Sequence, residues 1–362
     1  MPRTWLEVSL DQIKANYRLI SRTVGSGVDL MPVVKADAYR HGAVAVSQAL
    51  EHEGARWLAV SNIDEGKALR ESGVQARILV MADRVATDPR AWAEYRLTPV
   101  VHALEEIPLL PAGLAYHLKF DSGMHRLGSN AAIEAIIGAV RHTNLEGLMT
   151  HFASSADYTS EQTKLQMQSF EALRKALASA GCQPPHLHAA STNPLHFGRK
   201  ESWGNLVRPG YGIYGYVSRA KGKAPAELLD VAPALRWKAT ILLTKDVPAG
   251  APVGYGAQFL TERPTRLGIL GVGYADGLPH RLSNKGQVIA GGKLAPILGA
   301  VSMDVTTVDL TDSPDLKAGD AVTLLGSEGT SSIDARQMAR EAGTIAYSVL
   351  CGISTRVPRF YI

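Results

Sequence analysis

A lysine at the end of an apolar run is the residue in this sequence with the clearest chemical use. Lys35 follows Met31 to Val34 in the segment LMPVVKADAYRHG. A hydrated ammonium group is costly beside such a run, and desolvation lowers the pKa of a lysine from its usual value. The neutral amine can then condense with a carbonyl, so Lys35 is a candidate for Schiff-base chemistry. The alternative is a lysine whose ammonium group extends from the strand into solvent.

Other polar residues recur where short apolar runs end. Lys119 lies in one run with Arg126 in the turn after it, and Arg208 ends another in the segment NLVRPGYGIYG. The glycines after Arg208 let backbone N–H groups approach an anion closely, which makes this segment a candidate phosphate site. Any loop after a strand contains polar residues, so one such residue is weak evidence for a site. Polar residues after several runs together favour a shared site. His151 ends a third run, and Ser191 and Thr192 follow a fourth.

These residues fall at the ends of eight short β-rich runs that alternate with helix-like segments. The segment EQTKLQMQSFEALRKALASAG, for example, has apolar residues at helical spacing and a glycine stop. Eight alternating units predict a (β/α)8 TIM barrel, whose active site lies at the carboxyl ends of its strands. The runs are Met31 to Lys35, Trp57 to Val60, Arg77 to Met81, Thr98 to Val101, Tyr116 to Phe120, Leu145 to Phe152, His186 to Ala190, and Leu206 to Gly210.

The pattern changes after about residue 225. Long helical periodicity gives way to apolar runs such as LRWKATILLTKDV and AVTLLG, separated by Pro, Gly and Asp turns. We therefore predict an α/β fold with a barrel over residues 11–225, followed by a mostly-β C-terminal domain over residues 226–362 together with residues 1–10. The strand-like segment WLEVSL, near the start of the chain, is expected to pair with this second domain, and AKGKAPAELLD to connect the two.

The composition excludes several classes of protein. The 362 residues are 46% hydrophobic, and the 38 basic and 34 acidic side chains are scattered along the whole length. We therefore expect no nucleic-acid partner and no membrane partner, and a small anionic or zwitterionic ligand. The opening residues do not resemble a secretion signal, so a cytoplasmic protein is expected. Cys182 and Cys351 lack metal-ligand spacing, and we expect two reduced thiols and no bound metal.

Several of these segments resemble the alanine racemases, a family of enzymes that depend on pyridoxal 5'-phosphate (PLP). LMPVVKADAYRHG is similar to their PLP-attachment signature, and the other blocks follow in family order along nearly the whole chain. One block alone is moderately specific, whereas nine in the right order are strongly so. The other eight are HLKFDSGMHRLG, THFASSADY, HAASTN, LVRPGYGIYG, VGYGAQF, GVGYADGLP, GAVSMDVTTVDL and CGISTRVPRF.

The resemblance implies a racemase with two catalytic bases. Lys35 is implied to bind PLP covalently and to act as one base. Tyr255 is implied to be the other base and to reach the active site of the neighbouring subunit, so a homodimer with shared active sites is expected. Racemisation removes a proton from one face of the α-carbon and returns one to the other, so two bases on opposite faces suit it better than a single base that moves between them. His151 is implied to lie between Tyr255 and Arg208 and to stabilise the phenolate.

The resemblance also implies how the cofactor is bound. Arg208 faces the pyridine nitrogen, where an always-charged guanidinium disfavours ring protonation and limits transamination. Arg126 contacts the cofactor phenolic oxygen and the substrate carboxylate. Lys119 corresponds to a lysine that is carbamylated in many members, and is a candidate for that modification. The phosphate ligands are implied to be Tyr39, Ser191, Thr192 and the backbone N–H groups of Gly210 and Tyr211. The substrate side is implied to be lined by Met303, Asp304 and Tyr274.

Three positions depart from the family pattern. Arg40 stands where glycine is usual, and Asp37 where asparagine is common. Thr355 replaces a tyrosine that contacts the phosphate in some members; a threonine donates one hydrogen bond but reaches less far. We therefore expect an altered phosphate affinity and the same core chemistry. The sequence alone gives no interpretation of Asp37.

Alanine is the first predicted substrate, because tyrosines at the entrance favour small side chains, and serine is the second. D-Alanine for peptidoglycan precursors is the expected product. One alternative is a barrel-type PLP decarboxylase, which would place an acidic residue at the pyridine nitrogen instead of Arg208. Another is a PLP-homeostasis protein, which would carry the lysine on a lone barrel. The second domain, with Tyr255 and Met303, argues against that reading.

Overall fold

The computed structural model describes residues 2–362. By their internal contacts these residues divide into two compact units. The barrel unit consists of residues 11–38 and 42–232, and the β unit of the described residues up to 10 together with 39–41 and 233–362. The boundary after residue 232 follows the segment AKGKAPAELLD, which forms no regular helix or strand.

Within residues 2–362 the chain forms nineteen strands, ten α-helices and six short 3-10 helices. The strands in chain order are β1 (Thr4–Val8), β2 (Asp29–Leu30), β3 (Trp57–Val60), β4 (Arg77–Val80), β5 (Leu97–Val101), β6 (Tyr116–Lys119), β7 (Leu145–Met149), β8 (His186–His188), β9 (Leu206–Val207), β10 (Leu235–Val247), β11 (Pro252–Val253), β12 (Phe259–Leu260), β13 (Thr265–Leu270), β14 (Gln287–Ala290), β15 (Lys293–Pro296), β16 (Thr306–Asp309), β17 (Ala321–Glu328), β18 (Ser331–Ile333) and β19 (Arg359–Tyr361). The helices are α1 (Leu10–Val24), α2 (Lys35–Tyr39), α3 (Ala43–His52), α4 (Ile63–Glu71), α5 (Ala91–Glu94), α6 (Ile133–Val140), α7 (Gln162–Ser179), α8 (Thr192–His196), α9 (Ala335–Ala342) and α10 (Ala346–Gly352).

The parallel strands of the barrel unit, β2 to β9, form a closed ring. β3 to β8 pair in sequence order, and β2 pairs with β9. Two further contacts complete the ring. Val33 bridges Ala59 in β3, and the N–H of Arg208 donates to the carbonyl of Ala190 at 2.9 Å. The predicted (β/α)8 barrel is therefore confirmed.

Apolar sequences form the barrel strands because helices cover a parallel sheet on its outer face and side chains fill its interior. β3 and β5 are buried along their whole length. The surrounding helices are amphipathic: α1 buries Ile13, Tyr17 and Ile20, which recur every three or four residues. Asn62 caps the N-terminus of α4, because its side chain accepts the N–H of Glu65. The strand ends that carry the polar residues are therefore held by a well-packed barrel core.

The chain after the first barrel strand departs from the predicted extended run. Lys35 begins α2, and the five residues from Ala36 to Arg40 all have φ between 52° and 67°. α2 is therefore a left-handed turn, a conformation that costs an L-residue roughly 1–2 kcal/mol. The predicted strand Met31 to Lys35 is placed too late: β2 is Asp29–Leu30, and within the predicted run only Val33 forms a bridge, to Ala59. The run ends at the left-handed turn, which no residue type in this run signals.

The β unit is built around a nine-stranded sheet. Its longest strand, β10, pairs with β1, β13 and β17, all antiparallel. β1 lies between β10 and β19, so the opening strand pairs as the sequence indicated. α9 is capped at its N-terminus by Asp334, whose side chain accepts the N–H of Gln337, and at its C-terminus by Gly343 in a left-handed conformation. The predicted mostly-β C-terminal domain is confirmed. Among the described residues, no helix has both the length and the apolar character needed to cross a bilayer.

Candidate active site

Arg208, directly after β9, is held by neutral acceptors. Nη1 donates to His188 Nδ1 at 2.8 Å and to the His188 carbonyl at 2.6 Å. Nη2 donates to the carbonyls of Thr150 at 2.7 Å and Ala189 at 3.2 Å. Arg208 is 3% exposed, and burial lowers the pKa of its guanidinium to about 10. It forms no ion pair with any carboxylate in residues 2–362, so its charge is balanced by dipoles alone.

The barrel gathers further basic groups around Arg208. Lys119, at the end of β6, is 6% exposed, and burial together with Arg126 and Arg208 lowers its pKa from 10.5 to about 8. Lys35 contributes to this lowering, whereas Asp121 opposes it. Arg126 itself is exposed in the loop after β6. The structure thus brings together four of the predicted basic residues, and their surplus of positive charge fits an anionic ligand.

His151, after β7, is a neutral imidazole in this cluster. Burial, then Arg208 and Lys119, lower its pKa to about 3. Its Nδ1 lies 3.4 Å from Arg208 Nη2 and accepts, because a guanidinium can only donate. The proton of the neutral ring therefore lies on Nε2. His151 can donate one hydrogen bond to an anionic oxygen on that side.

The loops after β8 and β9 meet at Thr192. Thr192 Oγ1 accepts the N–H groups of Gly210 at 3.2 Å and Gly212 at 3.0 Å. An oxygen that accepts twice still keeps its own proton to donate. Ser191 precedes α8 and makes no capping hydrogen bond with its side chain. Tyr211 is buried between the two glycines. The predicted phosphate residues of the barrel unit therefore share one small region.

Two carboxylates fix the backbone beside Lys35. Glu65 Oε1 accepts the N–H of Ala36 at 2.7 Å. Asp37 Oδ1 accepts the N–H of Ala43 at 2.8 Å, at the first residue of α3. This contact gives Asp37 an interpretation that the sequence alone did not, since a carboxylate at a helix N-terminus is favoured over a neutral amide.

Six of the predicted residues belong to the β unit. Three of them are exposed: Tyr255 by 76%, Met303 by 54% and Tyr274 by 45%. Backbone hydrogen bonds join the segments that carry Tyr274 and Met303, because the Tyr274 N–H donates to the Ser302 carbonyl at 3.0 Å. A Cβ at Gly273 would overlap the Met303 carbonyl, so only glycine permits this approach. The remaining three residues of this group are Tyr39, Asp304 and Thr355.

Asp276 ties these segments together. It is 1% exposed, and its carboxylate accepts from Arg3 and from Arg356, each at 2.8 Å. Arg356 also pairs with Asp304 at 2.7 Å and holds the pKa of that carboxyl below its usual range. The sequence analysis missed Asp276. Its signal is a carboxylate two residues after Tyr274 in the block GVGYADGLP.

Tyr39 and Arg40 also belong to the β unit. Tyr39 is 8% exposed with its ring 6.0 Å from that of Tyr347, and burial raises the pKa of its phenol well above the usual range. Tyr39 is therefore a neutral hydrogen-bond donor. Arg40 has φ of 67°, which explains the glycine usual at this position. Its Nε donates to the Cys351 carbonyl at 3.2 Å, and its carbonyl accepts from Arg359 at 2.9 Å.

The residues of the barrel unit fit PLP. The buried groups are donors and cations, as a phosphate and a phenolic oxygen require. The amine of Lys35, at the start of α2 after the first barrel strand, is available for covalent attachment. None of the hydrogen-bond partners of Arg208 in the described residues is a carboxylic acid that could protonate a pyridine nitrogen.

A closed barrel with this donor set, followed by a mostly-β domain, defines a PLP-dependent enzyme acting on amino acids. Residues 8–218 match the alanine racemase N-terminal domain and residues 234–361 the alanine racemase C-terminal domain. The chain belongs to the alanine racemase family.

Relatives and solved structures agree with this assignment. The chain is 39% identical to the alanine racemase of Carboxydothermus hydrogenoformans, with all of both chains covered. It is 37% identical to that of Halothermothrix orenii, covering 99% of this chain and 96% of the relative. The crystal structure of alanine racemase from E. faecalis has a TM-score of 0.92 at 29% identity, covering 99% and 98% of the two chains. That of the Bartonella henselae enzyme, with covalently bound pyridoxal phosphate, has a TM-score of 0.86 at 27% identity over both whole chains. The activity of the family is PLP-dependent interconversion of L- and D-alanine, and it is the activity of this chain.

Proposed function

We propose that this chain racemises alanine with Lys35 and Tyr255 of the partner subunit as the two bases. PLP, when bound, withdraws electrons from the α-carbon of the amino acid and so acidifies its proton. Lys35 Nζ takes or returns that proton on one face, and the phenolic oxygen of Tyr255 does so on the other. His151 donates from Nε2 to the phenolate and stabilises its charge.

The observation that carries this proposal is the surroundings of Arg208. Four neutral acceptors hold a buried guanidinium without a carboxylate. Such a group donates to a pyridine nitrogen but does not transfer a proton to it. A decarboxylase of this architecture would need an acid at that point, so racemisation is favoured.

The remaining predicted residues bind the cofactor and the substrate in this proposal. Arg126 binds the substrate carboxylate and the cofactor phenolic oxygen. Lys119 becomes carbamylated, since its lowered pKa leaves a fraction of neutral amine that can react with carbon dioxide. Phosphate binding is assigned to Tyr39, Ser191, Thr192, Gly210, Tyr211 and Thr355. Met303, Asp304 and Tyr274 line the substrate entrance.

We propose a homodimer because Tyr255 is 76% exposed in the single chain. A catalytic phenol must reach the reacting carbon, and contact with a second subunit would move Tyr255 from solvent into a closed site. The test mixes Lys35→Ala protomers with Tyr255→Phe protomers, each inactive alone. If Tyr255 serves the partner's site, mixed dimers contain one intact site, and about a quarter of the wild-type activity returns under random exchange. No recovery after proven subunit exchange would contradict shared sites.

Alanine interconversion is the activity of the family, and we propose that this chain prefers alanine to serine. Purified protein with PLP is given a panel of L-amino acids, and D-enantiomer formation is followed with a D-amino-acid oxidase. Conversion of lysine or arginine faster than alanine would overturn the assignment. We further propose a cytoplasmic enzyme that supplies D-alanine for peptidoglycan precursors. Neither cysteine takes part in a disulfide in the described chain, as is usual in reducing compartments.

A further inference from the structure

A line of polar side chains runs through the barrel interior behind Arg208, and the proposed reaction does not use it. Arg208 donates to His188 Nδ1 at 2.8 Å. His188 Nε2 lies 2.7 Å from His117 Nδ1. His117 Nε2 lies 3.7 Å from the carboxylate of Glu146, which Arg77 binds with two hydrogen bonds of 2.7 and 2.5 Å. The line therefore ends at a carboxylate at the amino-terminal ends of the strands.

The barrel leaves space for these two imidazoles. His117 and His188 are both 0% exposed. A Cβ at Gly147 of β7 would overlap the His117 ring, so glycine provides the room that this ring occupies. The Trp57 ring packs 5.4 Å from that of His117, and Arg77 lies 4.0 Å over Trp57. Apolar residues would fill the same barrel layer at a lower desolvation cost, so the histidines need another explanation than packing.

The hydrogen bonds fix the proton positions along this line. A guanidinium only donates, so His188 Nδ1 must be an acceptor. Burial lowers the pKa of both histidines, that of His117 to about 4, so each ring carries one proton at neutral pH. The His188 proton is therefore on Nε2 and is donated to His117 Nδ1. The His117 proton is then on Nε2, facing Glu146.

Glu146 is charged at this end of the line. Burial alone would raise the pKa of its carboxyl, but His117 and Arg77 lower it to about 2. A carboxylate favours the His117 tautomer whose N–H points toward it. In that tautomer Nδ1 of His117 is an acceptor. His188 must therefore carry its proton on Nε2, which faces His117 Nδ1.

We propose that Glu146 and His117, acting through His188, are positioning residues that hold the Arg208 guanidinium toward the cofactor ring. Donation runs in one direction from Arg208 through His188 to His117, whose Nε2 proton faces the Glu146 carboxylate at 3.7 Å. Nη1 and Nη2 of Arg208 are engaged by the barrel, and its Nε–H is left for the ligand side. This inference rests on the proposed role of Arg208 at the pyridine nitrogen.

The first test uses the apoprotein and does not depend on activity. ¹⁵N NMR of histidine-labelled wild-type protein is expected to show His117 and His188 neutral at pH 7, both protonated on Nε2. His117→Leu and His188→Leu variants assign the two signals. A proton on Nδ1 of either ring, or a charged imidazolium, overturns the proposal.

The second test separates positioning from packing in the holoenzyme. His117→Leu fills the space but removes the acceptor, whereas His117→Asn retains an acceptor oxygen. We expect Glu146→Gln and His117→Leu to lower kcat about 10-fold, in the range of directly coupled groups, with KM for alanine little changed. His117→Asn should recover most of the loss.

Glu171→Gln is the matched control, because Glu171 also forms two hydrogen bonds with one arginine, Arg174, each of 2.6 Å. It should leave kcat unchanged. If Glu146→Gln and His117→Leu reduce only the free energy of unfolding and leave kcat and transamination at wild-type levels, the line is core packing and the proposal fails. A failure of the role of Arg208 itself is distinct, since it would appear as unchanged transamination in Arg208→Glu.

Discussion

Glu65 accepts the backbone N–H of Ala36 at 2.7 Å, one residue after Lys35. Its second oxygen accepts the N–H of Ser61 at 2.6 Å. One carboxylate therefore joins the loop after β3 to the left-handed turn that follows the reactive lysine. Because that turn is unfavourable for L-residues, its geometry depends on such contacts.

Glu65→Ala is expected to loosen the backbone at Lys35. Hydrogen exchange of the amides from Ala36 to Gly42 should accelerate in the apoprotein, and PLP should dissociate faster from the holoenzyme. The reason is that the Ala36 N–H loses its acceptor, a charged hydrogen bond of about 1.5–3 kcal/mol. Hydrogen-exchange mass spectrometry and the decay of cofactor absorbance after dilution measure the two effects.

Asn62→Ala is the control for Glu65→Ala. Asn62 caps the same helix, and its loss costs about 1 kcal/mol without touching Ala36. Equal effects of both variants on exchange between residues 36 and 42 would mean that Glu65 acts only by stabilising α4.

Replacements of Arg40 should separate its backbone strain from its hydrogen bond. Arg40→Ala keeps a β-carbon at a φ of 67° and removes the donor to the Cys351 carbonyl. Arg40→Gly removes the same donor but accepts this φ freely. We expect the glycine variant to be the more stable by about 1 kcal/mol in urea unfolding. Equal stabilities would show that the left-handed turn relaxes at this residue.

Lys119→Met should stabilise the apoprotein in a pH-dependent way. The lysine pKa falls from 10.5 to about 8 on folding, so the folded state loses its proton first. Below pH 8 both states are protonated and the penalty for a buried ammonium is complete; between pH 8 and 10.5 the unfolded state binds more protons, and stability rises. Without bicarbonate, the variant should gain on the order of 3 kcal/mol at pH 7 and almost nothing above pH 10.5.

Bicarbonate should reduce the difference in stability between Lys119→Met and the wild type. A carbamate on Lys119 replaces a positive charge beside Arg126 with a negative one, so added bicarbonate at pH 8 should stabilise the wild type and not Lys119→Met. Lys67 is the control lysine, since hydrogen bonding to Asp88 raises its pKa. Lys67→Met should show no gain at pH 7. A bicarbonate effect of equal size in Lys119→Met would contradict carbamylation at this residue.

Arg208→Glu should increase half-transamination of alanine relative to racemisation. A carboxylate at the pyridine nitrogen favours ring protonation and deepens the electron sink. The ratio of pyruvate to D-alanine formed from L-alanine in single-turnover assays measures this partition. Arg208→Lys, which keeps a cation, should not increase it. Unchanged partitioning in Arg208→Glu would remove the assigned role of Arg208.

The sequence predicted the barrel and the residues at its strand ends because both depend on local pattern. Lys119 and Arg208 could be found since a strand end is the place where an apolar run becomes polar. The left-handed turn could not be predicted, because Glu65, which accepts the N–H of Ala36, lies 29 residues away in the sequence. His117 and His188 were overlooked, although His117 lies two residues before Lys119 and so faces the same side of its strand.

The handedness of α2 has a consequence for chemical synthesis of this protein. The φ and ψ of Ala36 and Ala38, near +53° and +48°, are the mirror image of an ordinary helix. They are therefore the preferred angles of a D-residue. A semisynthetic chain with D-alanine at either position should fold with less strain, although an L-residue there is what the ribosome supplies. An enzyme that makes D-alanine thus contains, beside its reactive lysine, a turn that its own product would suit.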